Sequence, residues 1–139
     1  MRRALFLLPG MALLSGCVFF MRTPADLAAI THGHSDSSKV KIRNFELVRY
    51  EGRILLVGKV GRQFFDADTS NTHLDVSLYA ADGSVLRSLV TDFNPRQISR
   101  AYRTPASSGY QVALDPLPPG LARVDVRAHD GAHPASPLP

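Results

Sequence analysis

The chain has 139 residues, of which 16 are Lys or Arg and 12 are Asp or Glu, so its formal net charge is +4. Without Arg2 and Arg3, which belong to the export segment described below, the excess falls to +2, which is too small to indicate a surface for nucleic acid. The single cysteine excludes an intramolecular disulfide. The length suits one small domain, and no internal repeat favours an array of modules.

Residues 1–16 have the composition of an export signal peptide: two arginines near the start, an apolar stretch, then two small residues. Cleavage after this segment would leave fourteen basic residues against twelve acidic ones, a formal charge of +2. An uncleaved transmembrane helix is the alternative. However, a span needs about 20 residues, and Pro9 would weaken a helix in its middle.

The run Leu14-Ser15-Gly16-Cys17 resembles the lipobox of bacterial lipoproteins. The resemblance implies that Cys17 receives a diacylglycerol, becomes the new N-terminus and anchors the chain, because two or more acyl chains hold a protein stably at a membrane. In that family an aspartate directly after the cysteine favours the inner membrane, whereas here the residue is Val18. The resemblance therefore implies an outer-membrane anchor, with the protein facing the periplasm.

The composition along the chain predicts one domain between two irregular ends. Residues 17–38 lack a sustained period and predict a flexible tether with one helical turn around 26–30. Residues 130–139 are rich in proline and predict a disordered tail. The folded domain is therefore expected over 39–129.

Alternating apolar and polar residues predict strands throughout this domain. In HLDVSLYA, the side chains of Leu74, Val76 and Leu78 share one face. A phase slip near Arg43 predicts a β-bulge, and the Asp82-Gly83 pair predicts a two-residue type I′ turn. Seven strands are predicted, at 39–49, 53–62, 73–80, 84–91, 97–104, 109–115 and 121–129.

Seven short strands without a helical pattern predict an all-β fold, a single immunoglobulin-like antiparallel β-sandwich. The run ILLVGKV followed by LDVSLYAADGSVL resembles the FxLYD-type domains, which are small sandwich modules of secreted and membrane-anchored prokaryotic proteins. Here VSLY at 76–79 stands in place of Phe-x-Leu-Tyr, Ala80 replaces an aspartate, and Arg62 lies where an asparagine is usual. The resemblance implies the fold and no particular activity.

No motif of a hydrolase, metalloprotease or phosphate-binding loop is present, so we expect a protein that is not an enzyme and has no resident cofactor beyond the lipid. Four histidines, His32, His34, His129 and His133, offer imidazoles to Zn²⁺ or Cu²⁺. The alternative is that they are simply solvated in flexible segments.

A second candidate surface consists of Arg96, Arg100, Tyr102 and Arg103. Guanidinium groups suit an acidic lipid headgroup or an acidic protein partner, although such residues also keep edge strands soluble. The sequence thus predicts a lipid-anchored periplasmic interaction or scaffolding module that binds another envelope protein. The alternatives are a periplasmic metal-binding protein and an accessory lipoprotein of a secretion or transport complex.

Overall fold

The computed structural model describes residues 24–100 and 106–132, and within them the chain forms seven strands and no helix. Accordingly, no described segment is a helix of the length and apolarity that crossing a bilayer requires. The strands are β1 (Thr31–Ser35), β2 (Val40–Tyr50), β3 (Arg53–Arg62), β4 (Thr72–Ala80), β5 (Val85–Thr91), β6 (Ser107–Ala113) and β7 (Leu121–Asp130).

The strands form a four-stranded sheet in the order β1-β7-β4-β5 and a three-stranded sheet in the order β2-β3-β6. Neighbouring strands are antiparallel except for β1 and β7, which are parallel. The predicted all-β sandwich of about seven strands is confirmed. Its strand order differs from that of an immunoglobulin constant domain, where strands one, two, four and five share a sheet. Here strand seven takes the place of strand two.

The core lies between the two sheets. The predicted inward residues of β4, Leu74, Val76 and Leu78, are fully buried and pack with Leu47 of β2 and Leu56 of β3. Burying an aliphatic side chain of this size stabilises the fold by about 1.5–3 kcal/mol. Apolar residues at alternate positions therefore fix which face of each strand lies inside.

The predicted β-bulge is present in β2. The pairing of β2 with β3 shifts between Ile42 and Asn44, which leaves Arg43 as the extra residue. Ile42 and Leu47 differ in parity, yet both lie in the core, because the extra residue resets the alternation.

The predicted type I′ turn at Asp82-Gly83 is wrong. Such a turn needs positive φ at both central residues, and of the two only Gly83 has it, at 85°. The Gly83 amide donates to the Ala80 carbonyl at 3.0 Å, and the Ala80 amide donates to the Ser84 carbonyl at 2.9 Å. The β4–β5 connection is therefore a three-residue loop that ends on a left-handed glycine.

A two-residue turn of the predicted kind joins β2 to β3 instead. Tyr50 pairs with Arg53, and the two residues between them, Glu51 and Gly52, have φ values of 49° and 78°. Positive φ at both positions is the mark of a type I′ turn. Glu51 thus adopts a conformation that residues with a Cβ rarely take.

The fold begins earlier than the predicted domain of 39–129. Residues 31–35 belong to the predicted tether of 17–38, but they form β1 against β7. Leu27, also in that segment, is 2% exposed and joins the core. The prediction of a flexible tether is therefore wrong for 31–35 and for Leu27, whereas a turn is present near the predicted 26–30, where the Ala28 amide donates to the Pro24 carbonyl at 3.1 Å. At the other end, Asp130 belongs to β7 rather than to the tail.

The predicted strand over 97–104 is absent from its described part, 97–100. Ile98 lies in an irregular segment, is 1% exposed and packs into the core. Its amide donates to the Thr69 hydroxyl at 3.0 Å rather than to the backbone of a neighbouring strand. The burial of Ile98 and its hydrogen bond to Thr69 thus hold this segment in place without a strand.

Candidate functional site

A trio of potential metal ligands, His73, Asp75 and His129, lies on the outer face of the four-stranded sheet. His73 and Asp75 are two residues apart on β4, so their side chains point to the same face. His129 of β7 is the antiparallel partner of His73. The pairing of β4 with β7 therefore assembles residues that are far apart in sequence.

The ligand atoms of the trio are close together. The His73 Nε2 atom lies 3.5 Å from Asp75 Oδ1, and the His129 Nδ1 atom lies 3.8 Å from Asp75 Oδ2. One potential ligand atom from each residue falls within 4.8 Å of the other two, and the two imidazole rings lie with their centroids 5.0 Å apart and their planes tilted by 33°. The side chain of His73 is only 10% exposed, compared with 29% for His129.

This geometry suits a divalent transition metal after a small contraction. Zinc bound at about 2.0–2.1 Å in a tetrahedron holds its ligand atoms about 3.3–3.5 Å apart. The contacts of Asp75 with the two imidazoles, at 3.5 and 3.8 Å, are already near that spacing. Imidazole nitrogen and carboxylate oxygen are ligands that zinc and copper accept. Three protein ligands would leave a coordination position for water or for a group from a partner.

The trio also has a simpler chemistry. Asp75 can accept a hydrogen bond from either imidazole, and a protonated histidine would form an ion pair with it. Arg127 lies directly opposite Asp75 in the β4–β7 pairing and adds a positive charge near the carboxylate. A metal ion would have to compete with these cations for Asp75.

The structure separates the histidines predicted from the sequence. His129 joins the trio, whereas His32 lies on β1 with its ring 5.1 Å from that of Phe45 in the other sheet. His34 lies two residues from His32 on β1, so both side chains are on the same face of the strand. Among the described residues, the cluster of three potential ligands consists of the trio and does not include His34. His133 lies outside the described residues.

His73 is absent from the histidines predicted as ligands, although the alternation that places Leu74 on the inner face places His73 on the outer one. The spacing of His73 and Asp75 was the available signal, since two residues apart on a strand share a face. Their partner on β7 depends on strand pairing, which a single sequence does not reveal.

The predicted arginine patch is described in part. The Arg96 guanidinium pairs with the carboxylate of Asp92 at 3.3 Å, and both side chains are about half exposed. Arg100 instead lies over the ring of Phe65, with its Cζ atom 5.8 Å from the ring centroid. Tyr102 and Arg103 lie outside the described residues.

An open edge of the four-stranded sheet forms a separate surface. β5 stands last in the strand order, and within 24–100 and 106–132 no strand pairs with its outer edge. Val85, Leu86 and Val90 are 57%, 37% and 62% exposed. The one charged residue of β5, Arg87, donates instead to the carbonyls of Leu114 and Pro116, at 3.2 and 2.8 Å.

No family model matches the chain, and comparison with curated proteins and with solved structures gave no significant match. The resemblance to FxLYD-type domains and to the lipobox therefore stays a prediction. Leu14, Ser15, Gly16 and Cys17 lie outside the described residues.

Proposed function

We propose that the chain is a lipid-anchored, non-enzymatic interaction module of the bacterial outer membrane. Cys17 carries the lipid, and the sandwich faces the periplasm, where it binds an extended segment of another envelope protein. The observation that supports this function best is the edge of β5, because it offers unpaired backbone beside exposed apolar side chains.

Edge strands with exposed apolar side chains are usually protected from pairing with other chains. Native sheets protect their edges with charged residues, proline or bulges, because unpaired amides and carbonyls recruit other strands. The VLRSLVT sequence of β5 contains no proline, and its only charge, on Arg87, is held by carbonyls of the segment that follows β6. A shift in the pairing with β4 leaves Leu86 as an extra residue near the start of the strand, so the regular part of the edge, 87–91, is the part left open to a partner strand.

Strand addition would supply both affinity and selectivity. Main-chain hydrogen bonds along the edge hold the added strand, and contacts of alternate side chains select its sequence. The seven residues of β5 extend for roughly 23 Å at about 3.3 Å per residue. The partner segment is thus six or seven residues long, with apolar residues where it meets Val85 and Val90.

The test is cross-linking in intact cells that express the full chain, followed by isolation of the outer-membrane fraction. Val85→Lys puts a charge on the edge and should remove the cross-linked partner. Tyr50→Lys is the matched control, because Tyr50 is 51% exposed and lies on the other sheet. Cys17→Ala should remove the protein from the membrane fraction.

Three outcomes would contradict this function. A partner retained by Val85→Lys would exclude the β5 edge as its binding surface. Recovery of only a second copy of the chain would replace the envelope partner with self-association. Identical fractionation of Cys17→Ala and the unaltered protein would exclude the lipid anchor.

A second candidate function is periplasmic metal binding, which the His73–Asp75–His129 trio favours. Calorimetric titration of the full chain with Zn²⁺ should give a dissociation constant well below the millimolar range. His129→Ala should abolish this binding, whereas His32→Ala should not, because His32 lies away from the trio. Millimolar affinity, or equal loss in both variants, would exclude the site.

A further inference from the structure

A small cleft beside the end of β3 is rich in arginine. Its volume is about 170 Å³, and three of its lining residues are Arg43, Arg62 and Arg100. Phe65 also contributes to the wall, and none of the lining residues that the structure describes is acidic. Three arginines thus line one cleft, with no carboxylate among its described residues to neutralise them.

Arg62 is held with part of its guanidinium group unsatisfied. Its Nη1 atom donates to the carbonyl of Phe65. Its Nε and Nη2 atoms are buried and have no hydrogen-bond acceptor among the described residues. Burying the donors of a charged group without acceptors is costly, so a shift of the Arg62 side chain that brings these donors to an anion in the cleft would recover that cost.

Asp68, whose carboxylate is close enough to feel the charge of Arg62, does not fill this role. Oδ1 of Asp68 accepts hydrogen bonds from the amide and the hydroxyl of Ser70, at 3.0 and 2.6 Å. The Ser70 hydroxyl is the main cause of the lowered pKa of Asp68, and the positive charges of Lys39 and Arg62 add to it. Asp68 therefore senses the positive potential of Arg62 without satisfying its buried donors.

Arg43 is directed towards β3 by two features of the backbone. It is the extra residue of the β2 bulge, and bulges often redirect a side chain at a functional site. Its guanidinium lies against Gly61, where a Cβ atom would come within 2.3 Å of Arg43 Nε. The glycine therefore provides the space that Arg43 occupies.

Phe65 positions the remaining two arginines. Its carbonyl accepts from Arg62, and its ring lies 5.8 Å from the Cζ atom of Arg100. A cation held over an aromatic face keeps its hydrogen-bonding edge available. One residue thus holds two guanidinium groups at the same cleft.

We propose that this cleft binds a phosphate group through Arg43, Arg62 and Arg100. The guanidinium fork matches the spacing of phosphate oxygens and forms charge-assisted hydrogen bonds with them. The volume of about 170 Å³ is below the range of roughly 300–1,000 Å³ that holds drug-sized ligands. The cleft therefore receives a single phosphate group, either free phosphate or the headgroup of an acidic phospholipid.

The test is calorimetric titration of the detergent-solubilised full chain with two probes. One probe is inorganic phosphate, and the other is dihexanoyl-phosphatidylglycerol kept below its micelle concentration. Arg62→Gln should weaken binding by about 10- to 100-fold, the range expected when hydrogen bonds from a charged group are lost. Arg53→Gln is the matched control, because Arg53 is an exposed arginine at the other end of β3.

Gly61→Ala separates geometry from charge. It leaves the net charge unchanged but displaces the Arg43 guanidinium, which is the flexible end of a side chain and can move without unfolding the strand. We expect weaker binding in this variant as well. If Arg62→Gln does not fold, Arg100→Gln replaces it, because Arg100 is exposed.

The two probes identify the source of the phosphate. Tighter binding of the lipid assigns the cleft to a membrane headgroup, and tighter binding of inorganic phosphate assigns it to the free ion. Dissociation constants above about 10 mM for both probes would overturn the proposal. Equal loss of binding in Arg53→Gln and Arg62→Gln would overturn it too, since the effect would then be one of net charge alone.

Discussion

The hydroxyl group of Tyr110 gives the sharpest test of the packing between the sheets. Tyr110 pairs with Gly58 across β6 and β3 and is 5% exposed. A Cβ atom on Gly58 would come within 2.5 Å of both Cζ and Oη of Tyr110, so the ring fills the space above this glycine. The hydroxyl is buried and has no hydrogen-bond partner among the described residues.

Tyr110→Phe should therefore stabilise the fold. A buried polar group without a partner costs about 1–3 kcal/mol, and the small void left by the oxygen returns part of that gain. We expect the free energy of unfolding to rise by about 1 kcal/mol, which raises Tm by roughly 4 °C in a domain of about 100 residues. Urea unfolding followed by circular dichroism measures the difference.

Tyr50→Phe is the matched control for this substitution. Tyr50 is 51% exposed, so its hydroxyl is hydrated in both the folded and the unfolded chain, and the change should stay within about 0.5 kcal/mol. A loss of 1 kcal/mol or more in Tyr110→Phe would refute the reasoning, because it would mean that the hydroxyl has an acceptor.

The pH dependence of stability provides a second check. Burial raises the pKa of Tyr110 above its ordinary value, which is about 10 in an unfolded chain. The folded state therefore favours the protonated phenol, and the stability linked to this group is present below pH 10 and falls as the pH rises further. Tyr110→Phe abolishes this loss, so its advantage over the unaltered protein should widen above pH 10.

Three further predictions concern turns and the sheet ends. Glu51→Asn should raise the free energy of unfolding by about 1 kcal/mol in urea titration, because asparagine tolerates the positive φ of 49° at this position. Gly58→Ala should lower it by about 1–3 kcal/mol, because a backbone carbonyl lies 2.6 Å from the added Cβ. Burial opposes the ionisation of Asp130, but hydrogen bonds from Ser38 and Thr72 outweigh it and lower its pKa. The stability contributed by this carboxylate is present above its unfolded pKa of about 4 and is lost as the pH falls, so Asp130→Asn should flatten the acid limb of a stability-against-pH curve.

The strand positions were predictable because apolar residues alternate strongly where one face is buried. β4 and β7 show this alternation over nearly their whole length. β1 was not predictable, since its sequence THGHS has no large apolar residue and its burial is low. The backbone pairing with β7 holds it in place. A strand held mainly by main-chain hydrogen bonds leaves no hydrophobic period in the sequence.

The turns show a related limit. Asp82-Gly83 has the residue types of a type I′ turn, whereas Glu51-Gly52 has the conformation. Strand pairing decides this outcome, because Tyr50 and Arg53 are opposite each other and leave two residues between them. The free energy of pairing two long strands exceeds the cost of about 1–2 kcal/mol for one left-handed residue with a side chain.

The candidate sites were predictable only where one strand determined them. The sequence predicts His129 as a candidate ligand but does not group it with His73, because their pairing is a property of the sheet. The arginine cleft joins Arg43 and Arg62 in the same way, from adjacent strands. Only the bulge that redirects Arg43 left a signal, as a break in the alternation of β2.

Asp75 of the trio lies on β4, which pairs with β5, the strand that forms the open edge. Substitutions along β5 can therefore separate the two candidate functions. Val90 lies directly opposite Asp75 in the β4–β5 pairing and is 62% exposed. In Val90→Lys the new ammonium group would compete with a metal ion for the Asp75 carboxylate. Cross-strand pairs of opposite charge contribute about 0.2–1 kcal/mol, so the affinity for Zn²⁺ should fall by up to about fivefold.

Val85→Lys adds the same charge to the same edge but lies opposite Tyr79. Tyr79 is four residues from Asp75 along β4, a separation of roughly 14 Å at about 3.4 Å per residue, which exceeds the screening length of about 8 Å at physiological salt. Both lysine variants should therefore lose the envelope partner, and only Val90→Lys should lose affinity for Zn²⁺. Equal titration curves for the two variants would show that zinc, if it binds, does not use Asp75.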